Sequence, residues 1–281
     1  MTTLLAYCDS ISPAPGDTVN CMVSCEGAAR YHAEIVRLLN PEAGPEATAF
    51  RTEPVDSPVN GEHPARQQIL CPGSYGVVEP APKLAGLTSF TVQTFVWPTT
   101  PGRGAQGLLG TWREGNGSGF GLGLDETGAV SAYLGDGLGG RVSVSTGVPL
   151  ETRRWYFVSA TFDAGSGVLA VHQAPLPDHT FRDEAPVGSE IKTAVRPPSS
   201  EVPFLIGASN GAGPGEPVVA ENCFNGKLDR PRLADRALSA AEREQLARDA
   251  RLPASLSSAV VARWDFWHGM ETDVARDCSG N

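Results

Sequence analysis

Charge is scarce in this chain of 281 residues. Only 19% of positions are charged, acidic residues outnumber basic ones by 32 to 22, and the formal net charge is -10. Lysine is rare and the basic residues form no cluster, so the cationic face that phosphates require is missing. Nucleic-acid binding and attachment to anionic membrane surfaces are excluded on that ground. No apolar run approaches the ~20 residues of a membrane helix. The opening "MTTLLAYCDS" has no basic n-region and only a short apolar run, so it does not read as a signal peptide. The expected location is the cytoplasm.

The signatures of common hydrolases are also missing. There is no Gly-x-Ser-x-Gly elbow and no His-Glu-x-x-His. His32, His63, His172, His179 and His268 are scattered without ligand spacing. Six cysteines stand at 8, 21, 25, 71, 223 and 278, with no Cys-x-x-Cys pair, so a zinc site is not expected. Cys21 and Cys25, four apart in "NCMVSC", share one face of a strand. With no export signal, the cysteines are expected to be reduced, buried thiols acting as small hydrophobes.

What is abundant is glycine (32) and proline (23), punctuating a pattern that is nearly all β. "LLAYCD", "GDTVNCMVSC", "YHAEIVRLL" and "GSYGVVE" predict a small sandwich-like unit over residues 1–82. The proline-rich "PAPKLAG", Pro80 to Gly86, marks its boundary with a second domain over residues 83–281. In "SFTVQTFVW", Phe90, Val92 and Val96 share one face while Phe95 and Trp97 take the other. A strand apolar on both faces is covered on both sides and therefore central. "GFGLGLDETGAVSAYLGDG" reads as a hairpin turning at Asp125–Gly128, and "RWYFVSATFDAGSGVLAVHQ" as another. Residues 174–203 read as a long proline-rich loop. Ser239 with Glu242 makes a capping box that opens a helix over 239–251, ended by Pro253 and lying on the outside of the sandwich. Near the C-terminus an extra strand is expected over 260–267, followed by a loop with little to hold it.

Each feature that suggests chemistry has a plainer reading. "GDGLGG" at 135–140 matches Gly-x-Gly-x-x-Gly, but a strand follows it rather than a helix, so it is a turn. The tight acidic pairs, Asp125/Glu126 and Asp183/Glu184, fall in a turn and in the long loop, not on a strand face flanking a scissile bond. Asp163 in "DAGSG" suits a turn aspartate bonding its own backbone better than a calcium ligand. Of Trp97, Trp112, Trp155, Trp264 and Trp267, Trp112 precedes a glycine-rich loop and is the first candidate to stack on a ligand, although packing is the preferred reading. No catalytic, cofactor-binding or metal-ligating residue is assigned.

Residues 89–252 resemble the laminin-G-like, concanavalin-like jelly roll, through the second hairpin and "FNGKLDRPRLADRALSAAEREQL". The whole chain resembles the N-terminal region of the N,N-dimethylformamidase large subunit and its relatives. "YCD", "AEIVRLLN", "EHPARQQ", "GSYGVVE", "TFVWPTTPGRGAQGLLGTW", "WYFVSATFD", "FNGKLDRPRL" and "RWDF…DCSGN" carry that likeness, and "VWPTTPGRGAQG" is its most specific element. The resemblance implies a chain that continues downstream. It places amide hydrolysis there, at a mononuclear iron held by tyrosine and glutamate side chains, and it implies a small partner subunit. The expected role here is an accessory, non-catalytic one, with a broad apolar face left uncovered. A free-standing carbohydrate- or ligand-binding module is the alternative, and an enzyme complete within these residues is the least favoured reading.

Overall fold

The computed structural model describes residues 3–40, 51–68, 73–177, 185–198, 202–248 and 251–280. The chain divides into two compact units, Met1–Leu70 and Cys71–Asn281. The division falls ahead of the Pro80–Gly86 stretch where the sequence suggested it.

The first unit has strands β1 (Thr3–Cys8), β2 (Cys21–Glu26), β3 (Arg30–Ala33), β4 (Val36–Asn40), β5 (Arg51–Pro54) and β6 (Gly61–Pro64). They pair as three two-stranded antiparallel ladders, β1 with β2, β3 with β6 and β4 with β5. Side chains and loop backbone stitch this unit together. The Cys25 N–H donates to Arg66 O (3.0 Å), and the Gln68 amide donates to Val23 O (2.6 Å). Among its described residues Cys25 is the one buried side chain.

The second unit has strands β7 (Gly76–Val78), β8 (Phe90–Pro98), β9 (Gln106–Gly110), β10 (Ser118–Leu124), β11 (Ala129–Asp136), β12 (Arg141–Pro149), β13 (Tyr156–Asp163), β14 (Val168–Pro175), β15 (Val187–Lys192), β16 (Phe204–Ile206), β17 (Ser209–Asn210), β18 (Ala220–Glu221), β19 (Gly226–Ala234) and β20 (Val260–Arg263), with helices α1 (Pro82–Ala85) and α2 (Ala240–Arg248). Two six-stranded antiparallel sheets, β12-β11-β10-β9-β16-β7 and β15-β14-β13-β8-β19-β20, form the sandwich. "GSYGVVE", read from the sequence as part of the first unit, supplies β7, which pairs with β16 through Val78 and Phe204. The 174–203 loop is also not strandless. Its β15 edges the second sheet, paired to β14, and its alternation of half-buried and exposed residues is too weak to show in the sequence.

β8 lies between β13 and β19, central as its two apolar faces require. Phe90, Val92 and Val96 enter the core, where Phe90 stacks on Phe120 of the facing sheet at 4.0 Å between ring centroids. Phe162, Phe204 and Trp264 extend this aromatic column. On the outer face Phe95 pairs with Phe157 at 5.4 Å, beneath the Arg230 guanidinium.

The glycine richness of "SGFGLGL" follows from the same alternation. Phe120, Leu122 and Leu124 of β10 point into the core, which puts Gly119, Gly121 and Gly123 on the opposite face. There the Tyr133 ring lies against Gly121 and Gly123, and a Cβ at Gly121 would run into that ring.

The capping box forms at α2. The Ser239 N–H donates to the Glu242 carboxylate (2.8 Å), the Glu242 N–H donates to Ser239 Oγ (3.3 Å), and the Arg236 guanidinium gives the same carboxylate two bonds. Arg236, and then Ser239, pull the Glu242 carboxyl down to about 2. Leu238 and Leu246 bury the helix against the sandwich, and Thr91 of β8 accepts from the Leu238 N–H at 2.8 Å. The helix is described to Arg248; residues 249–250 of the expected span lie outside the described residues.

β20 stops at Arg263 instead of running to Trp267. Trp264 bridges to Asp277, and Trp267 lies beyond the strand, 75% exposed. The loop that follows is tied rather than loose. Asp277 Oδ1 accepts from the N–H groups of Arg263 (3.0 Å) and Ser279 (2.8 Å), and the Cys278 N–H donates to Arg263 O (2.7 Å).

Two outcomes test these packings. Gly121→Ala forces the Tyr133 ring aside, and overpacking of this kind costs about 1–3 kcal/mol. Its melting midpoint should fall by several degrees, whereas Gly102→Ala, with open space around it and a negative φ of -84°, should move it far less. Glu242→Gln removes a carboxyl whose folded value lies below its ordinary 4.5, so the stability it contributes is present above that pH and is lost as pH falls toward about 2. The variant should melt a few degrees below the parent at pH 7, since a lost cap costs about 1 kcal/mol. Thermal melts should show the gap closing as the solution is acidified.

Candidate functional site

The positions singled out in the sequence are occupied structurally. Trp112, the stacking candidate, is only 9% exposed. Its ring meets Tyr133 edge-on at 4.8 Å and lies beneath the Arg141 guanidinium at 5.9 Å, so it presents no open face to a ligand. Trp97 is covered by the Lys227 ammonium at 4.6 Å, and Trp264 is in the core. The exposed indole is Trp267, which sequence reasoning had placed in a strand.

The acidic positions close turns. Asp163 accepts from the Gly165 N–H (3.0 Å) and from Ser166 Oγ (2.7 Å). Asp125 accepts from the Thr127 N–H (2.9 Å), Thr127 Oγ1 (2.6 Å) and Ser145 Oγ (2.6 Å). Partial burial opposes ionisation of Asp125, but the bonds from Ser145 and Thr127 outweigh it and hold the carboxyl below its ordinary value. "GDGLGG" turns the chain from β11 to β12, with Asp136 Oδ1 accepting from the Leu138 and Gly140 N–H groups. Asp183, Glu184, His179 and Cys71 lie outside the described residues.

Three concavities stand out among the described residues of the second unit, one of about 420 Å³ beside Lys83, Asp235 and Val261 and two others. The smaller, about 300 Å³, lies on the outer face of the second sheet and is lined by Ser159, Thr161, His172, Glu190 and Arg243 among others. The strand registers set Gly188, His172, Ser159, Gln93 and Arg232 directly opposite one another, a polar row across five strands. Burial, and then the positive charge of Arg243, lower the His172 pKa and favour the neutral imidazole. The row looks like a serine–histidine pair, but among the described residues Ser159 Oγ and His172 Nδ1 have no hydrogen-bond partner, so the two are not joined as nucleophile and base. Simple alternation in "VSATFD" and "LAVHQ" carries the only sequence signal for this row.

The larger concavity, about 1070 Å³, opens between β7 and the 264–275 segment. Tyr75, Val77, Phe224, Phe266 and Val274 give it an apolar lining, with Arg103 and Asp273 as its charged members. Arg103 is engaged by donating to Cys223 O at 3.1 Å.

The mononuclear iron implied by the sequence resemblance does not fit these residues. Among the described residues no three His, Cys, Asp or Glu side chains converge as metal ligands. Three of the five tyrosines are committed elsewhere: Tyr133 to Trp112, Tyr31 to the His63 ring, and the Tyr156 hydroxyl to the Glu151 N–H (3.1 Å). Among the described residues no helix is long and apolar enough to cross a membrane.

Two facing antiparallel sheets with an outer capped helix define a concanavalin-type sandwich. The chain belongs to the concanavalin A-like lectin/glucanases superfamily, whose laminin-G family model matches residues 72–242. More narrowly, it is 35% identical over 295 residues to the N,N-dimethylformamidase beta subunit of Paracoccus aminophilus, covering 98% of this chain and 38% of that one. It is 33% identical over 297 residues to the beta subunit of the same name from an Alcaligenes species, with the same coverage. These relatives carry the name beta subunit, which corrects the large-subunit label drawn from the motifs. The chain spans 38% of their length. Among solved structures, a Bacteroides ovatus protein described as carbohydrate-binding is similar at 17% identity and a TM-score of 0.49, covering 82% of this chain and 63% of that one. Nothing about ligands follows from that likeness.

Truncating Trp112 should therefore act on stability. Loss of a buried Trp side chain costs about 3–5 kcal/mol. Trp112→Ala should lower the midpoint of urea unfolding strongly, and a glycan array should show no binding by the parent that the variant loses.

Proposed function

We propose that this chain is the accessory, non-catalytic β-sandwich region of a dimethylformamidase-type beta subunit, and that it packs against the part of such a subunit that follows the matched region. The observation that carries this reading is the apolar surface of the first unit. Leu4, Leu5, Tyr7, Ile35 and Leu38 are all more than 40% exposed, at 51%, 55%, 56%, 42% and 55%. With Cys25 as its one buried side chain among described residues, the unit has apolar strands and almost no interior. Isolated two-stranded ladders are marginal in water, and soluble monomers rarely leave so many apolar side chains uncovered. The 38% share of the relatives' length supplies an occupant, namely the remainder of a chain of that kind. On this reading hydrolysis of the amide, and any iron, belong to that remainder, and a small subunit would contact the assembled whole.

Co-expression tests the proposal. The 281-residue chain and a separate chain corresponding to the remainder of a dimethylformamidase beta subunit should co-purify. Leu5→Glu with Tyr7→Glu should reduce the co-purified fraction severalfold while leaving the melting of the sandwich unchanged. The isolated chain should release no amine from N,N-dimethylformamide. Turnover by the isolated chain, or association indifferent to the double substitution, would contradict the reading.

A further inference from the structure

Among the described residues, two cysteines form a pair of reactive side chains outside any role described so far. The sequence led us to expect buried thiols. Cys25 and Cys223 are indeed buried, but Cys8 and Cys21 are both exposed. They come from the ends of β1 and β2 that adjoin the connecting loop, and the register sets them directly opposite each other. Their sulfurs are 3.4 Å apart.

The ladder geometry favours closure. The next opposed residues, Asp9 and Asn20, carry a backbone hydrogen bond from the Asp9 N–H to Asn20 O (3.1 Å). Hydrogen-bonded and non-hydrogen-bonded pairs alternate along an antiparallel ladder, so Cys8 and Cys21 form a non-hydrogen-bonded pair. Such pairs are the narrow ones, with Cα atoms roughly 4.5 Å apart, inside the roughly 4.4–6.8 Å that disulfides span. The pair is clamped from the loop side as well. The Asn20 N–H and side-chain amide both donate to the Asp9 carboxylate, at 3.0 and 2.6 Å. The sulfurs have to close from 3.4 Å to the ~2.05 Å of a disulfide, a side-chain rotation that needs no backbone rearrangement.

We infer that Cys8 and Cys21 are a thiol pair built to be converted reversibly to a disulfide by a small-molecule disulfide oxidant such as oxidised glutathione. One thiolate attacks a sulfur of the oxidant, forming a mixed disulfide and expelling one glutathione thiolate. The second cysteine, deprotonated, attacks the protein sulfur of that mixed disulfide and expels the second. Two cysteine thiols lose two protons and two electrons, and one molecule of oxidant becomes two molecules of glutathione. The product closes a ring around "DSISPAPGDTVN" and staples β1 to β2, a ladder that the first unit otherwise holds by few buried contacts. Exposure lets both oxidant and reductant reach the bond, which suits it to a reversible role rather than a permanent structural one.

The test uses the full 281-residue chain, fully reduced, incubated with oxidised glutathione, quenched with N-ethylmaleimide and mapped by mass spectrometry. One intramolecular Cys8–Cys21 link is expected, with labelling of both positions falling together by an order of magnitude or more while Cys25 and Cys223 stay unoxidised. Amide exchange in β1 and β2 should slow on oxidation and recover when a dithiol reductant is added. Cys8→Ser should leave Cys21 carrying a stable glutathione adduct, and Cys25→Ser should leave the link intact. Stable glutathione adducts on both cysteines of the parent, linkage of either one to a different cysteine, or full maleimide labelling at both positions after oxidation would each overturn the inference.

Discussion

The facing of the two sheets in the second unit centres on the contact between Phe90 and Phe120. The two rings stack at 4.0 Å from opposite sheets, and Phe162, Phe204 and Trp264 continue the contact along the interior. Each fully buried aromatic or large aliphatic side chain contributes about 1.5–3 kcal/mol by leaving water. The column holds the sheets face to face and thereby sets which residues of every strand point outward. The outward positions then follow their own rules. β10 gives up its side chains to glycine so that Tyr133 can lie flat against it, and Trp112 packs on Tyr133. Across the second sheet, Gln93, Ser159 and His172 fall in a row because two strand registers coincide.

The first unit is built differently, and the difference bears on function. Its ladders are joined by backbone and polar side-chain bonds such as Cys25 to Arg66 and Gln68 to Val23, not by a shared apolar interior. Apolar side chains that elsewhere would form a core are instead on the surface. On the proposed reading, a unit with a complete core joined in sequence to strands without one belongs to a region that docks onto something larger. The relatives, of which this chain spans 38%, offer that larger context.

The sandwich was legible because alternation is a strong signal where one face is buried. "SFTVQTFVW" identified a central strand, and Ser239 with Glu242 identified the helix start, because both depend on side chains close in sequence. β7 and β15 were misplaced for the opposite reason. Gly76–Val78 has too few residues to show a period, and its assignment rests on pairing with β16, far away in the chain. Trp112 and Trp267 exchanged roles for a related reason. A glycine-rich loop suggested exposure at Trp112, but the space those glycines leave is filled by aromatic rings. Trp267 follows a strand that ends when Trp264 bridges to Asp277, a contact across a loop that no local pattern announces. The pairing of Cys8 with Cys21 depends on the β1–β2 register, which the intervening loop conceals.

Hydrogen exchange resolved by residue tests the central claim that the sandwich stands alone while the first unit needs a partner. In the isolated 281-residue chain, amides of β8 and β13 should exchange near the rate of global unfolding, and those of β1, β2 and β4 should exchange far faster. Addition of the remainder of a dimethylformamidase-type beta subunit should slow β1, β2 and β4 selectively. Equal, slow exchange in both units of the isolated chain, unchanged by the added part, would contradict the account.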